Sequence, residues 1–301
     1  MEKEDIMVKD KKVILAEIGI LFVAMFWGMG FVSAKYVLAD MGPFDLMAYR
    51  YGLAFVVMFF CAIRHLKALD KATLKAGALI GSMMFFGNMI QTIGLQYTTP
   101  GKQTFIICMY TVLVPLLSWI FFKEKAPKNI IIAAIIAFIG IGLLTLKSDL
   151  TIGLGDGLTF IFAISFSLHV ILVGRFMKDN MDPMVFALVQ IGMCAFWSIG
   201  AAFIFGDGAK LTDLSFGGVL GMLQLIFLNT TLAFILQNTC QKIAPANHTA
   251  ILMSTETVFG TFFAVTLADE VFEGRMIIGC ILMFVAIIVS NIPIGKKSDK
   301  V

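Results

Sequence analysis

Glu256, His169 and Arg50 each interrupt a long apolar stretch of this sequence. An ionisable group in hydrocarbon costs about 3 kcal/mol or more, so each must find a partner, stay neutral or face water. Glu256 lies about eleven residues into its stretch, near the depth of a bilayer centre. A carboxyl there can exchange a proton as its surroundings wet and dry, or face the cationic group of a ligand. The structural alternative is a neutral acid bonded to a helix carbonyl, or to Asn238 or His169. His169, with Ser165 and Ser167 nearby, titrates in a useful range and could pair with Glu256 or with a ligand carboxylate; equally, it could tie helices together. Arg50 sits six residues past the start of its stretch, shallow enough to snorkel to a cavity mouth or to bind Asp45 or a loop carbonyl.

Other polar and aromatic residues extend the candidate set. Lys102 and His248 occupy equivalent places at the openings of two stretches, where they could guard a mouth or simply mark the interface. Gln91 and Gln237 form a second equivalent pair, and a buried glutamine wants two acceptors and a donor. They either line a cavity or bond across helices. Trp27 and Tyr110 lie deep enough to wall a pocket, even as a cation–π surface, whereas Trp119 reads as an interface anchor. Glu124 and Glu270 close their stretches and belong at the membrane surface.

Enzymatic chemistry finds little support. Gly153-Leu154-Gly155-Asp156 matches the GxGD of intramembrane aspartyl proteases, but that reaction needs a second buried aspartate to share the proton, and no stretch contains one. Asp156 reads instead as a helix cap. No HExxH, phosphate-binding glycine loop or buried Ser–Lys pair is present, and the five cysteines lack metal-ligand spacing. No cofactor or metal is expected.

The elements that must position these residues are ten apolar stretches: 13–37, 44–63, 74–95, 101–122, 128–146, 153–174, 184–205, 215–239, 246–267 and 274–292. Each is long enough at 1.5 Å per residue to cross a ~30 Å hydrocarbon core as a helix. Pro43, Pro100, Pro127, Pro183 and Pro245 mark helix starts, and Pro115, inside the fourth stretch, is expected to kink it. The chain is 59% hydrophobic and 14% charged, where a soluble domain carries roughly a quarter charged residues. A net charge of +3 gives no reason to expect nucleic acid as a partner.

Alternating the spans with the N-terminus inside places 17 Lys and Arg residues on that side and 5 on the other, with Arg50 left within a span. That bias puts both termini in the cytoplasm. The first span is too long for a signal h-region and lacks a small-residue cleavage site, so it reads as retained.

Residues 91–145 superpose without a gap on 237–291, Gln91 meeting Gln237 and Glu124 meeting Glu270. The front halves match at an offset of 140: Lys35 with Arg175, Asp40 with Asn180, Pro43 with Pro183. An odd number of spans per repeat inverts the second copy. The expected fold is therefore an all-α integral membrane protein, ten transmembrane helices in two inverted-topology five-helix repeats. Its parts are a cytoplasmic segment 1–12, repeats 13–148 and 149–293, and a cytoplasmic tail 294–301.

The chain resembles the EamA type of the drug/metabolite transporter superfamily over residues 15–292. The segments that carry the resemblance include Phe26-Trp27-Gly28, Ala48-Tyr49-Arg50-Tyr51, Val114-Pro115-Leu116-Leu117 running to Phe122-Lys123-Glu124, and Thr255-Glu256-Thr257-Val258-Phe259 running to Ala268-Asp269-Glu270. Where that family often has Glu-Pro, this chain has Glu256-Thr257, which removes the proline reason for a kink there. The resemblance implies a secondary transporter, most often an exporter, of small metabolites such as amino acids. Its cavity would be lined by spans 1, 3, 4, 6, 8 and 9 and would open alternately to two sides, with protons as a candidate coupling ion. The expected surroundings are the lipid bilayer of a bacterial inner membrane, with a second copy of the chain as a candidate partner. Two alternatives stay open: uptake of a quaternary ammonium compound, caged by Glu256 and the deep aromatics, and a non-transporting membrane sensor or packing partner.

Overall fold

The computed structural model describes residues 2–98, 100–145, 153–178, 181–267 and 274–292, with the side chains of all but 2–10, 100–102, 144–145, 178 and 264. Among these, the regular structure is helical throughout. The helices are α1 (Glu2–Leu38), α2 (Pro43–Ala62), α3 (Lys71–Leu95), α4 in two pieces (α4a Pro100–Ile107, α4b Tyr110–Phe122) and α5 (Lys128–Thr145). The second half repeats this order: α6 (Leu154–Lys178), α7 (Pro183–Phe205), α8 (Phe216–Gln224 continued to Gln241), α9 in two pieces (α9a Ala246–Met253, α9b Glu256–Leu267) and α10 (Gly274–Asn291). Nine of the described helices are long and apolar enough to cross a bilayer, and α5 adds a shorter apolar tenth, Lys128–Leu143. The expected all-α fold of ten membrane helices in two inverted five-helix repeats is the fold observed. One boundary differs: the helix of α1 begins at Glu2, so the charged segment before residue 13 is helical too.

Local chemistry sets the helix ends. Pro43 and Pro183 stand at first helical positions, where the missing N–H costs nothing. The side chain of Asp70 accepts from Thr73 N at 2.7 Å, and that of Ser215 from Gly218 N at 3.1 Å. Asp182 does the same at α7, accepting from Met184 N at 2.9 Å. Outward faces are apolar, with Phe203 and Phe216 exposed at 91% and 82%, which suits lipid and not water.

Two large apolar cores result, each drawing on both repeats, and a small third gathers Ala76, Ile80, Val173, Met177 and Phe186 of α3, α6 and α7. One of the large cores gathers α4, α5, α9 and α10 with the first half of α1 and part of α6; the other gathers α2, α3, α7 and α8 with the second half of α1. Trp27 packs against both. Close helix approach relies on glycine: a Cβ at Gly28 would fall 2.6 Å from the carbonyl oxygen of Glu256, joining α1 to α9.

The fourth helix does not turn on Pro115 as the sequence leads one to expect. It breaks earlier, at Cys108–Met109, and α9 breaks at Ser254–Thr255, the same places in the two repeats. Since α9 has no proline there, proline cannot be the shared cause. The shared feature is a hydroxyl: Thr111 Oγ1 donates to the Cys108 carbonyl, and its counterpart Thr257 Oγ1 donates to the Ser254 carbonyl at 2.9 Å. Ser254 and Thr255 add bonds to the carbonyls of Ile251 and Leu252, both at 2.7 Å. Such back-bonding bends helices and offers the backbone an alternative to the regular ladder.

Candidate functional site

The cavity between the two cores encloses about 110 Å³ and is walled by α1, α2, α3, α4, α6, α8 and α9. Its lining passes into a shallower depression at Phe31, Leu38 and Leu95, near the ends of α1 and α3. At the opposite face α6 is held shut against its neighbours. Arg175 Nη2 donates to Glu124 at 2.7 Å and its guanidinium lies 3.8 Å from the Phe122 ring centre, while Gln241 Nε2 donates to the Val170 carbonyl at 3.0 Å.

Glu256 opens α9b, just past the break, and is 3% exposed on the cavity wall. Its Oε1 accepts from Cys108 Sγ and from Tyr110 OH, each at 3.3 Å. Both donors come from the matching break in α4. Neither Asn238 nor His169, the partners weighed from the sequence, touches it. Among the described residues no Lys, Arg or His nitrogen lies within 4 Å of this carboxyl.

His169 lines the cavity, and its Nε2 meets Gln190 Nε2 at 2.7 Å, so the ring nitrogen accepts and Nδ1 carries the proton. That Nδ1 has no hydrogen-bond partner among the described residues. Phe166 stacks on the ring at 5.6 Å, and Phe234 meets it edge-on at 6.1 Å. Trp27 packs against the same two phenylalanines, at 5.5 and 5.9 Å, and donates its indole N–H to the Asn229 carbonyl at 3.0 Å. Trp27 does wall the cavity; Tyr110 stands behind Glu256, against Phe166 at 5.2 Å, and is not itself in the lining.

Arg50 departs furthest from expectation. It is not spent on Asp45, which accepts instead from the backbone of Asp207 and Ala209 at 2.9 and 3.3 Å. The guanidinium turns inward to the cavity, donating Nε to Thr230 Oγ1 at 2.9 Å and Nη2 to Asn229 Oδ1 at 2.6 Å. These acceptors lie in Leu225–Leu232, where α8 widens to π-helical turns. Such widenings accompany functional sites in other proteins.

Two expected lining residues lie off the cavity. Gln237 Nε2 is taken by Gln241 one turn along its own helix at 3.1 Å, and Asn238 Nδ2 donates to Gln190 Oε1 at 3.2 Å. Gln91, its counterpart, does line the cavity and accepts Gln103 Nε2 at its carbonyl at 2.8 Å. His248 is not in the cavity lining; its Nδ1 is 3.6 Å from Glu17 of α1, and both side chains are largely buried. The side chain of Lys102, and Glu270 altogether, lie outside the described residues. Asp156 caps α6 as expected, accepting from Gly153 N at 2.9 Å and from Thr98.

Gln190, Gln103, Asn229 and Cys108 were not among the sequence candidates. The repeat could have supplied one: an offset of 140 carries Arg50 onto Gln190. The symmetry extends to contacts, since Gln190 Nε2 reaches Met84 Sδ at 3.0 Å as Arg50 reaches Thr230, and Met84 and Thr230 are 146 apart.

A family model described as the EamA-like transporter family matches twice, at residues 14–146 and 153–292. An uncharacterized transporter of Archaeoglobus fulgidus is 30% identical over 286 residues, spanning 93% of this chain and 87% of its own. The uncharacterized transporter YyaM of Bacillus subtilis is 26% identical over 297 residues, 93% of this chain and 95% of that one. A solved crystal structure superposes with a TM-score of 0.76 over 92% of this chain and 96% of the other, at 16% identity, a likeness of fold alone.

Proposed function

The chain belongs to the EamA-like transporter family, and from that premise we propose that it exports small organic metabolites such as amino acids by alternating access, coupled to protons. It is an integral multi-pass membrane protein, and its substrate is a small molecule. The observation that carries the finer reading is the setting of Glu256: in the cavity wall, held by a thiol and a phenol at 3.3 Å, with no cation beside it among the described residues. A carboxylate so placed is costly while the cavity is dry. Proton uptake removes that cost, and wetting of the cavity favours release. Occlusion is thereby linked to proton binding, as linkage requires of a coupled carrier.

The cavity volume of about 110 Å³ favours small substrates over bulky drugs, whose pockets usually run to several hundred Å³. The 17-to-5 distribution of Lys and Arg supports cytoplasmic termini in a bacterial inner membrane, with the cavity in this state open to the far side. The test is flux of a labelled metabolite panel in proteoliposomes, with and without a pH gradient. Saturable flux accelerated by an opposing proton gradient is expected. Saturable binding without flux would overturn the transport reading, and flux indifferent to the gradient would remove the coupling.

A further inference from the structure

Among the described residues the cavity lining holds one fixed cation and one acid, and they are held differently. Arg50 stands at the eighth position of α2, about 10 Å along the helix from its start. A guanidinium stays charged at this depth, so it needs an anion, water or both. Its described partners are neutral: Thr230, Asn229 and the Tyr51 ring at 4.9 Å. Among the described residues no carboxylate lies within 4 Å of it.

Those neutral partners are themselves fixed. Asn229 Nδ2 donates to the Phe26 carbonyl at 3.0 Å, and the Asn229 carbonyl is held by Trp27. Two hydrogen bonds thus orient the guanidinium through Nε and Nη2 and leave Nη1 without an acceptor among the described residues. An oriented, charged and incompletely satisfied fork in a cavity fits a planar two-oxygen anion. The repeat sharpens the point. The equivalent position is Gln190, which is neutral and occupied by His169 and Asn238, so only one of the two symmetric niches presents a charge.

We infer that Arg50, oriented by Asn229 and Thr230, binds the carboxylate of the transported molecule, making the substrate class a carboxylate-bearing metabolite. Glu256 on the same cavity wall then faces the amine of a zwitterion, with the Trp27–Phe166–Phe234 cluster against the carbon skeleton. The inference rests on the transport reading above and disfavours a quaternary ammonium substrate, which leaves the guanidinium uncompensated.

The experiment uses the purified full-length protein, with melting shifts in detergent and flux in proteoliposomes. The probes are leucine, phenylalanine and threonine, each beside its own amide, with choline as the carboxylate-free cation. At least one amino acid should bind roughly ten- to a hundredfold more tightly than its amide, the range of a charge-assisted hydrogen-bond pair. Arg50→Gln should remove that preference while keeping amide binding. Asn229→Asp, which sets an acid of the same shape 2.6 Å from the guanidinium and gives up the bond to the Phe26 carbonyl, should remove it as well. An amide or choline bound as well as the acid, a preference that survives both variants, or no binding by any of the three amino acids would each overturn the inference. Flux of a carboxylate-free compound would leave transport standing without this site. Carboxylate binding without flux would leave the site standing without transport.

Discussion

Tyr110 and Glu256 are 146 residues apart, occupy the same position in the two repeats, and touch, phenol to carboxyl, at 3.3 Å. Equivalent positions of a two-fold arrangement can touch only close to its axis. The acid and the phenol therefore mark the place where the two halves meet, each at the start of the second piece of a broken helix. A group on that axis would sense any rocking of one half against the other, which is the leverage over both faces of the membrane that the proposed role of Glu256 requires.

Glu256→Gln should remove the response of flux to a pH gradient and lower gradient-driven transport roughly 5- to 150-fold, the span of coupling energies of about 1–3 kcal/mol. Tyr110→Phe, which leaves Cys108 as donor, should shift the pH profile with a smaller loss. Counterflow, which needs no net proton movement, separates coupling from binding: in Glu256→Gln it should persist, at a lower affinity for amine-bearing substrates, after the gradient response is gone. Unchanged gradient dependence in that variant would remove the proposed proton role.

Thr111→Val and Thr257→Val keep side-chain shape and delete the back-bonds that accompany the two breaks. Straighter helices are expected to melt at the same or a higher temperature while flux falls, the usual trade of activity against rigidity. Because the positions are equivalent, the two variants should behave alike. Hydrogen exchange at residues 108–111 and 254–257 reads the change directly, with slower exchange expected in each variant.

Gly28→Ala puts a methyl 2.6 Å from the Glu256 carbonyl oxygen and 2.7 Å from the Gly260 nitrogen, both backbone atoms that cannot swing away. Overpacking of this kind costs about 1–3 kcal/mol. Gly200→Ala meets nothing within 4 Å and gains helix propensity, so it should hold or raise the melting temperature. Thermal unfolding of the two variants in the same detergent should separate them by several degrees.

At the start of α7, burial pushes the Asp182 carboxyl up. The hydrogen bond from the His65 ring at 2.9 Å, the N–H groups of Val185 and Met184 and the charge of His65 outweigh it and hold it below the usual aspartate value. A lowered folded-state value means the stabilisation is present above the unfolded value of about 3.9 and is lost as pH falls below it. The protection of the Met184 and Val185 amides, taken against the unfolded rate at the same pH, should therefore fall between about pH 4 and pH 2. Asp182→Asn keeps a cap but should flatten that acid dependence, and Asp182→Ala should weaken the helix start by about 1 kcal/mol near neutral pH and by less in acid.

Much of the fold was legible because a bilayer is a simple solvent. It demands about twenty apolar residues per crossing, places proline and charge at the ends, and satisfies the backbone only within helices. The ten spans, the inversion, the buried acid Glu256 and the cavity residues Trp27, His169 and Gln91 followed from those demands and from the internal repeat. What sequence could not fix was the direction each polar side chain takes. Helices apolar on every side carry no pattern that names their neighbours. The turn of Arg50 inward to Asn229 and the pairing of Glu256 with Cys108 and Tyr110 were decided by packing alone. Each depends on contacts between residues far apart in the chain, which exist only once the two repeats have closed on one another.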